Sequence, residues 1–310
     1  MVAVPDQDDV PHPVLDSASS RGLVASNATT APWSLLRSAR LHARPDRRPA
    51  PSSDHPAGAA RAHQAPSRCC GSSPAARWQD RDMATRPLVI AFDVIETLFP
   101  LEPIRQRLID AGQPGHVLDL WFARLLRDGF ALTATGSYRP FGDIAASALR
   151  STTGSALDDD AIRNVIAGFA QLDPHPDVRP AVRLARDEGL RLVTLTNGSA
   201  QNTAGLLQRA GIGADIEQVL SVDDVRRWKP AEPVYRHAAD RTQVPPQRVS
   251  LVAAHAWDTH GAHHAGLTTG WVARLEDQVP DIFAAPDVTG RDLVEVVQGL
   301  LALPATWHDG

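Results

Sequence analysis

Apolar runs alternate with helical patterns over residues 177–274. An all-helical stretch over 103–171 follows the first such run, and the N-terminus is rich in proline and polar residues. Together these observations predict an α/β protein. Its expected architecture is a three-layer, Rossmann-like parallel-sheet core with an inserted helical cap, behind a disordered N-terminal extension. The expected boundaries are the extension over 1–82, the core over 83–102 and 173–302, the cap over 103–172 and a tail over 303–310.

Ten of the 25 prolines fall before residue 83, mixed with Ser, Ala, Arg and Asp, with no sustained helical or strand period. That composition cannot bury enough apolar surface to order itself. Asp6, Asp8 and Asp9 with no long apolar segment after them argue against a secretory signal. Met83, the only methionine besides Met1, stands just before the first strand and is the alternative start. The only cysteines, Cys69 and Cys70, lie in this extension, so the folded part needs no disulfide, which fits a reducing cytoplasm. The net charge of -5 and the lack of a basic stripe exclude nucleic acid as a partner. No apolar run approaches the roughly 20 residues that span a bilayer, so no membrane is expected either.

Leu88 to Phe92 reads as the first strand. Helices follow at Ile104–Leu108, Val117–Leu126, Asp143–Leu149 and Ala161–Leu172, with Asp158 to Asp160 offering N-caps for the last. Val178–Asp187 is helical and Leu190–Leu195 a strand. Ala200–Ala210 is a helix closed by Gly211. Ile216–Ser221 is a strand, Pro233–Arg241 a helix, Val249–Ala253 a strand, Trp257–Ala265 a helix, and Thr269–Val272 the last strand.

An open parallel sheet binds ligands beyond the carboxyl ends of its strands. After the first strand come Asp93 and Thr97. After the next come Thr196, Asn197, Gly198 and Ser199. Asp223, Asp224 and Lys229 follow the third, and His255 and Asp258 the fourth. Lys229 is the only lysine among 31 basic residues. Asp93-x-x-x-Thr97-Leu98-Phe99, Leu195-Thr196-Asn197-Gly198-Ser199, Lys229-Pro230 with Tyr235, and Ala254-His255-Ala256-Trp257-Asp258-x-x-Gly261-Ala262 together resemble the haloacid dehalogenase superfamily. The branch they look most like is that of the type II 2-haloacid dehalogenases, and the likeness runs from about 86 to 300.

The resemblance implies a hydrolase with Asp93 as nucleophile, a carboxylate that attacks carbon and leaves an ester for water to cleave. Lys229 supplies the charge that keeps Asp93 ionised in a partly desolvated site. Thr97 fixes Asp93 by a hydrogen bond; the alternative is a threonine capping a turn. Thr196 and Asn197, at the start of a helix, make an anion site, or serve with Ser199 as an ordinary cap. Asp258 positions Lys229 or the hydrolytic water, or is a helix N-terminal acid favoured by the dipole. Tyr235 is assigned to substrate binding, or packs on the core. The implied partner is a small halogenated carboxylic acid, the assembly common in the branch is a homodimer, and no cofactor or metal is expected.

The rival within the superfamily is a magnesium-dependent phosphatase. Those enzymes usually carry a second aspartate two residues after the nucleophile and an acid after the last catalytic strand; this chain has Ile95 and His255 there. Halide leaves without a proton, so dehalogenation needs neither acid. The chain also departs from the branch pattern. Phe122 follows Trp121 where an arginine is usual, which leaves Arg124, three residues on from Trp121, as the cap cation beside Phe122. His255 is a general base for ester hydrolysis or fills an asparagine's place. Glu96 replaces a usual glycine, without a reason in the sequence. Two other readings are a metal site built from His255, His260, His263 and His264, against histidines on a solvated face, and a catalytically weak binding or scaffold relative.

Overall fold

The computed structural model describes residues 84–305, all within one of the chain's two units, Gly71–Gly310. The extension expected over 1–82, Met83, both cysteines and residues 306–310 lie outside the described residues. Six parallel strands form one sheet: β1 (Val89–Phe92), β2 (Arg191–Thr196), β3 (Gln218–Ser221), β4 (Val249–Ala253), β5 (Thr268–Val272) and β6 (Val288–Gly290). Their order is β3-β2-β1-β4-β5-β6.

The central strands read as unbroken apolar runs because both faces are covered. Val89, Ile90, Ala91 and Phe92 are all fully buried, as expected of a parallel sheet with helices on either side. Thr269–Val272 is therefore not the last strand. The short β6 pairs with β5 through Gly270↔Val288, and α9 (Leu293–Ala302) packs on both. Three residues at a sheet edge carry too little pattern to stand out in a sequence.

Between β1 and β2 the chain forms α1 (Glu102–Asp110), α2 (Val117–Ala134), α3 (Phe141–Thr153) and α4 (Asp159–Ala167), then a 3₁₀ turn at Gly168–Gln171 and α5 (Val178–Asp187). The first four are the inserted helices. Helix α2 runs eight residues beyond Leu126, because Gly129 lets it lie against Trp228: a Cβ there would sit 2.5 Å from the indole. Trp228 also stacks on Phe141, rings 5.9 Å apart and 9° from parallel, so the cap rests on the loop that carries Lys229. Tyr138 of the cap donates a short hydrogen bond to Asp223 of that loop. The Asp158 side chain caps α4, accepting from Ala161 N at 2.8 Å.

The remaining helices are α6 (Ala200–Arg209), α7 (Glu232–Thr242) and α8 (Ala256–His264). Gly211 ends α6 at φ 68°, a left-handed position that suits glycine. The strand order reverses between β1 and β4, so the loops after these two strands flank the sheet's switch point. Asp93 follows one and His255 the other. Among the described residues no helix is long and apolar enough to cross a membrane.

Candidate active site

Asp93 sits one residue past β1, and its backbone is still tied to the sheet, donating from N to Val252 O at 2.9 Å. Its side chain meets three groups from three loops. Oδ2 accepts from the Thr97 hydroxyl at 2.6 Å. Oδ1 accepts from Lys229 Nζ at 2.7 Å. The Nδ1 of His255 stands 3.5 Å from Oδ2, an ion-pair contact too long for a good hydrogen bond. Thr97 cannot turn away, because its Oγ1 also accepts from Ala254 N at 2.9 Å.

Lys229 is fully buried and all three of its protons are placed: on Asp93, on Asp258 Oδ2 at 2.6 Å and on Leu195 O at 2.9 Å. A guanidinium would not fit this point contact. The loop holding the lysine is pinned by Asn197, whose Oδ1 accepts from Lys229 N at 3.0 Å. Asp258 Oδ1 accepts from the Tyr235 hydroxyl at 2.6 Å. Gly261 permits this packing: a Cβ there would lie 2.6 Å from both Pro230 Cβ and the Tyr235 oxygen.

Electrostatics follow from this layout. Burial alone would raise the Asp93 carboxyl, but the Lys229 charge and His255 hold it well below the ordinary carboxylate range. Burial pushes the Asp258 carboxyl up, with Lys229 opposing the shift and the Asp93 charge adding to it. Burial would lower Lys229, yet the two carboxylates raise it. Burial and the Asp258 charge push the Tyr235 phenol well above its usual value. Burial would also lower His255, but Asp93 and Glu96 outweigh it and the imidazole is raised from 6.5 to about 9.

Glu96 is the residue sequence reasoning left unexplained. Its Oε2 lies 3.0 Å from His255 Nε2. Its φ is 66°, which is why glycine suits this turn and why a glutamate here is strained. Two substitutions noted separately in the sequence thus meet in space.

Two hollows border the group. A small chamber of about 20 Å³ is lined by Asp93, Ile95, Phe122, Phe141, Thr196, Asn197, His255 and Trp257, among others. A wider cavity of about 700 Å³ lies between the cap and the core and reaches Glu96 and His255 but not Asp93. Phe122 and Leu126 belong to both walls.

Arg124 does not join them. Its guanidinium turns to α3, donating to Ser151 O at 3.3 Å, because it stands two residues from Phe122, about 200° around the helix and so on the opposite side of α2. Tyr235 is fully buried behind Asp258 and lines neither hollow, so its assignment to substrate contact is corrected to that of a residue holding Asp258. Thr196 lines the chamber with its Oγ1 accepting from Gly198 N at 2.9 Å, while the capping of α6 falls to Ser199, which accepts from Asn202 N. Asp223 and Asp224 pair with Tyr138 and His237 on the outside of the molecule. His260 Nδ1 accepts from Ala284 N, His264 is exposed, and among the described residues no three His, Cys, Asp or Glu side chains are grouped to hold a metal. The side chains present do not fit a magnesium ion: Asp93 Oδ1 is occupied by Lys229, both Asp258 oxygens are occupied, and Ile95 offers no carboxylate. Of the lining residues, Phe141 goes unnoticed and Trp257 is read only as part of a motif, because an aromatic on a helix reads as core in a sequence.

Residues 53–266 match a family model described as haloacid dehalogenase-like hydrolase. The chain is 30% identical over 217 residues to (S)-2-haloacid dehalogenase H-109 of Pseudomonas putida, covering 68% of this chain and 97% of the relative. Haloacetate dehalogenase H-2 of Moraxella sp. (strain B) is 27% identical, over 64% of this chain and 92% of its own. Among solved structures, the L-2-haloacid dehalogenase RSc1362 superposes with a TM-score of 0.66 at 29% identity, covering 70% of this chain and all of that one.

Proposed function

The chain belongs to the haloacid dehalogenase-like hydrolases, and we propose that it removes halide from short 2-haloacids through an ester on Asp93. The observation that carries this reading is the Asp93 carboxylate itself. It is ionised, oriented by Thr97 and Lys229, and faces a small, largely apolar chamber with no proton donor at position 95. Such a group displaces a leaving group that needs no proton.

In the first step Asp93 Oδ2 attacks the halogen-bearing carbon and halide departs as an anion. Thr196, Asn197 and the first N–H groups of α6 hold the substrate carboxylate. Phe122, Phe141 and Trp257 enclose the reacting carbon. The chamber volume of about 20 Å³ is little more than one water. Substrate must therefore shift the cap or its aromatics, which restricts the substrate to short chains.

In the second step water attacks the Asp93 carboxyl carbon. Lys229, 2.7 Å from Oδ1, stabilises the oxyanion that forms there. His255 takes the water proton, and Glu96 holds its ring. Ester formation has by then removed the Asp93 charge, one of the two that raise His255, so the imidazole gives up its own proton more readily and its neutral form is available to accept one from water. Asp258 and Tyr235 act through Lys229.

We further propose a cytoplasmic location, since residues 84–305 contain no cysteine and ask for no disulfide. The proposed assembly is the homodimer common in the branch, which sedimentation equilibrium checks. The test of function is chloride release from L-2-chloropropionate and phosphate release from p-nitrophenyl phosphate, each with and without magnesium. Magnesium-independent chloride release that disappears in Asp93→Asn is the expected result. Magnesium-dependent phosphate release lost in the same variant, with no chloride, overturns the reading.

A further inference from the structure

The cavity of about 700 Å³ touches both members of the Glu96–His255 pair while leaving Asp93 out of its wall. The chamber does the reverse on the other side of His255: it holds Asp93 and the anion cradle but not Glu96. Phe122 and Leu126 of α2 stand between the two. The imidazole therefore borders both the chamber that holds Asp93 and the roomier space beside it.

The chemistry of the second wall does not suit a haloacid. Glu96, Glu102, Asp119 and Glu276 line it, against Arg105 and Arg274. Both guanidinium groups are already committed. Arg105 pairs with Glu102 and Asp119, and Arg274 binds Asp177 at 2.7 and 2.8 Å and Thr97 O at 3.0 Å. A substrate carboxylate finds no free cation there, and the surplus of acid repels it. Water is a better tenant. His175 lies on this wall as well, adding a polar group to the carboxylates that line it.

Resting on the proposed dehalogenation, we infer that this cavity is the conduit that delivers the hydrolytic water to His255 and carries away the proton the water sheds, while the substrate occupies the chamber. The stoichiometry calls for one water in and one proton out. Hydrolysis forms a bond from the water oxygen to the Asp93 carboxyl carbon and breaks the bond from that carbon to Oδ2, which departs as the hydroxyl oxygen of the product while the water oxygen stays in the carboxylate. One water proton ends on the hydroxyl of the 2-hydroxy acid. The other is left over when Asp93 returns as a carboxylate, and it leaves through His255 and Glu96 into the water of the cavity.

Ala123 lines the cavity and not the chamber, so Ala123→Trp narrows the conduit from the α2 side. The measurement is a rapid-quench single turnover of L-2-chloropropionate with enzyme in excess, following chloride and hydroxy acid separately, with intact-protein mass to detect the ester. The variant is expected to release chloride at the wild-type rate, to form hydroxy acid about tenfold more slowly, and to accumulate the ester. Chloride release slowed in step with hydroxy acid would make the cavity the substrate's entrance and overturn the inference. Wild-type rates for both steps would overturn it as well. If thermal unfolding shows that the tryptophan variant does not fold, Ala123→Phe takes its place under the same readouts. A wild-type protein that releases no chloride at all overturns the dehalogenase reading, an outcome distinct from the other two.

Discussion

The Oε2 of Glu96 lies 3.0 Å from the Nε2 of His255, and Glu96 holds this contact from a backbone at φ 66°. A non-glycine residue in that region costs on the order of 1 kcal/mol or more. The strain is sustained where the side chain orients a buried imidazole against the Asp93 carboxylate, the proposed nucleophile.

Glu96→Gly keeps the turn, since glycine adopts this φ freely, and removes only the carboxylate. Chloride release in a single turnover should stay close to wild type, while ester hydrolysis slows by about 10²-fold, the usual scale for a weakened general base. Quench-flow separates the two. A matching loss in both steps would place Glu96 in substrate binding.

The raised pKa of His255 makes stability and turnover depend on pH. Below pH 6.5 its imidazole is charged in both the folded and the unfolded chain, and its pairing contributes in full. From 6.5 to about 9 the folded chain keeps a proton that the unfolded chain has lost, so stability falls as pH rises and the contribution is gone above that range. Asp93 has the opposite sign: its pKa is lowered, so its contribution is present above the ordinary 3.8 and is lost only in acid. Melting temperature should therefore decline across pH 6.5 to 9, and His255→Asn should flatten the decline. Turnover should rise with pH over the same interval in wild type, with a midpoint below about 9, and lose that rise in His255→Asn.

Lys229 neutralises two buried carboxylates, Asp93 at 2.7 Å and Asp258 at 2.6 Å. Lys229→Met takes the lysine's charge from both, leaving Asp258 with only the Tyr235 hydroxyl, which costs about 3–5 kcal/mol. Urea unfolding should show that loss, and no ester should be detectable by intact mass. A variant as stable as wild type would mean that the carboxylates take up protons at little expense.

Tyr235 and Gly261 act on the same point from two sides. Tyr235→Phe removes the hydroxyl that donates to Asp258 at 2.6 Å and should cost about 1–3 kcal/mol. Because Tyr235 lies behind Asp258, kcat should fall while KM stays near wild type. Gly261→Ala drives a Cβ to 2.6 Å from Pro230 and Tyr235 and should destabilise by a similar amount, about 1–3 kcal/mol.

Arg124 donates to the backbone of α3 from an exposed position. Arg124→Ala should leave kcat and KM for L-2-chloropropionate within about twofold of wild type and stability within about 0.5 kcal/mol. A large rise in KM would restore it as a substrate cation.

What the sequence determined by itself is what local pattern can carry. The unbroken apolar run before Asp93, the helical spacing of α2 and the residues after each strand come from periodicity and from the rule that parallel sheets present chemistry at their carboxyl ends. Lys229 stood out as the lone lysine, and Ile95 as an apolar residue beside an acid. The tertiary structure decided which side chains meet. Glu96 and His255 are 159 positions apart, and only the adjacency of β1 and β4 brings the one against the other. The direction of Arg124 follows from how α2 packs, and that of Tyr235 from the close approach of α7 and α8 at Gly261. A linear pattern fixes the face of an element but not the neighbour it is pressed against. At this site the neighbour sets the charge of His255 and, with it, the proposed hydrolysis.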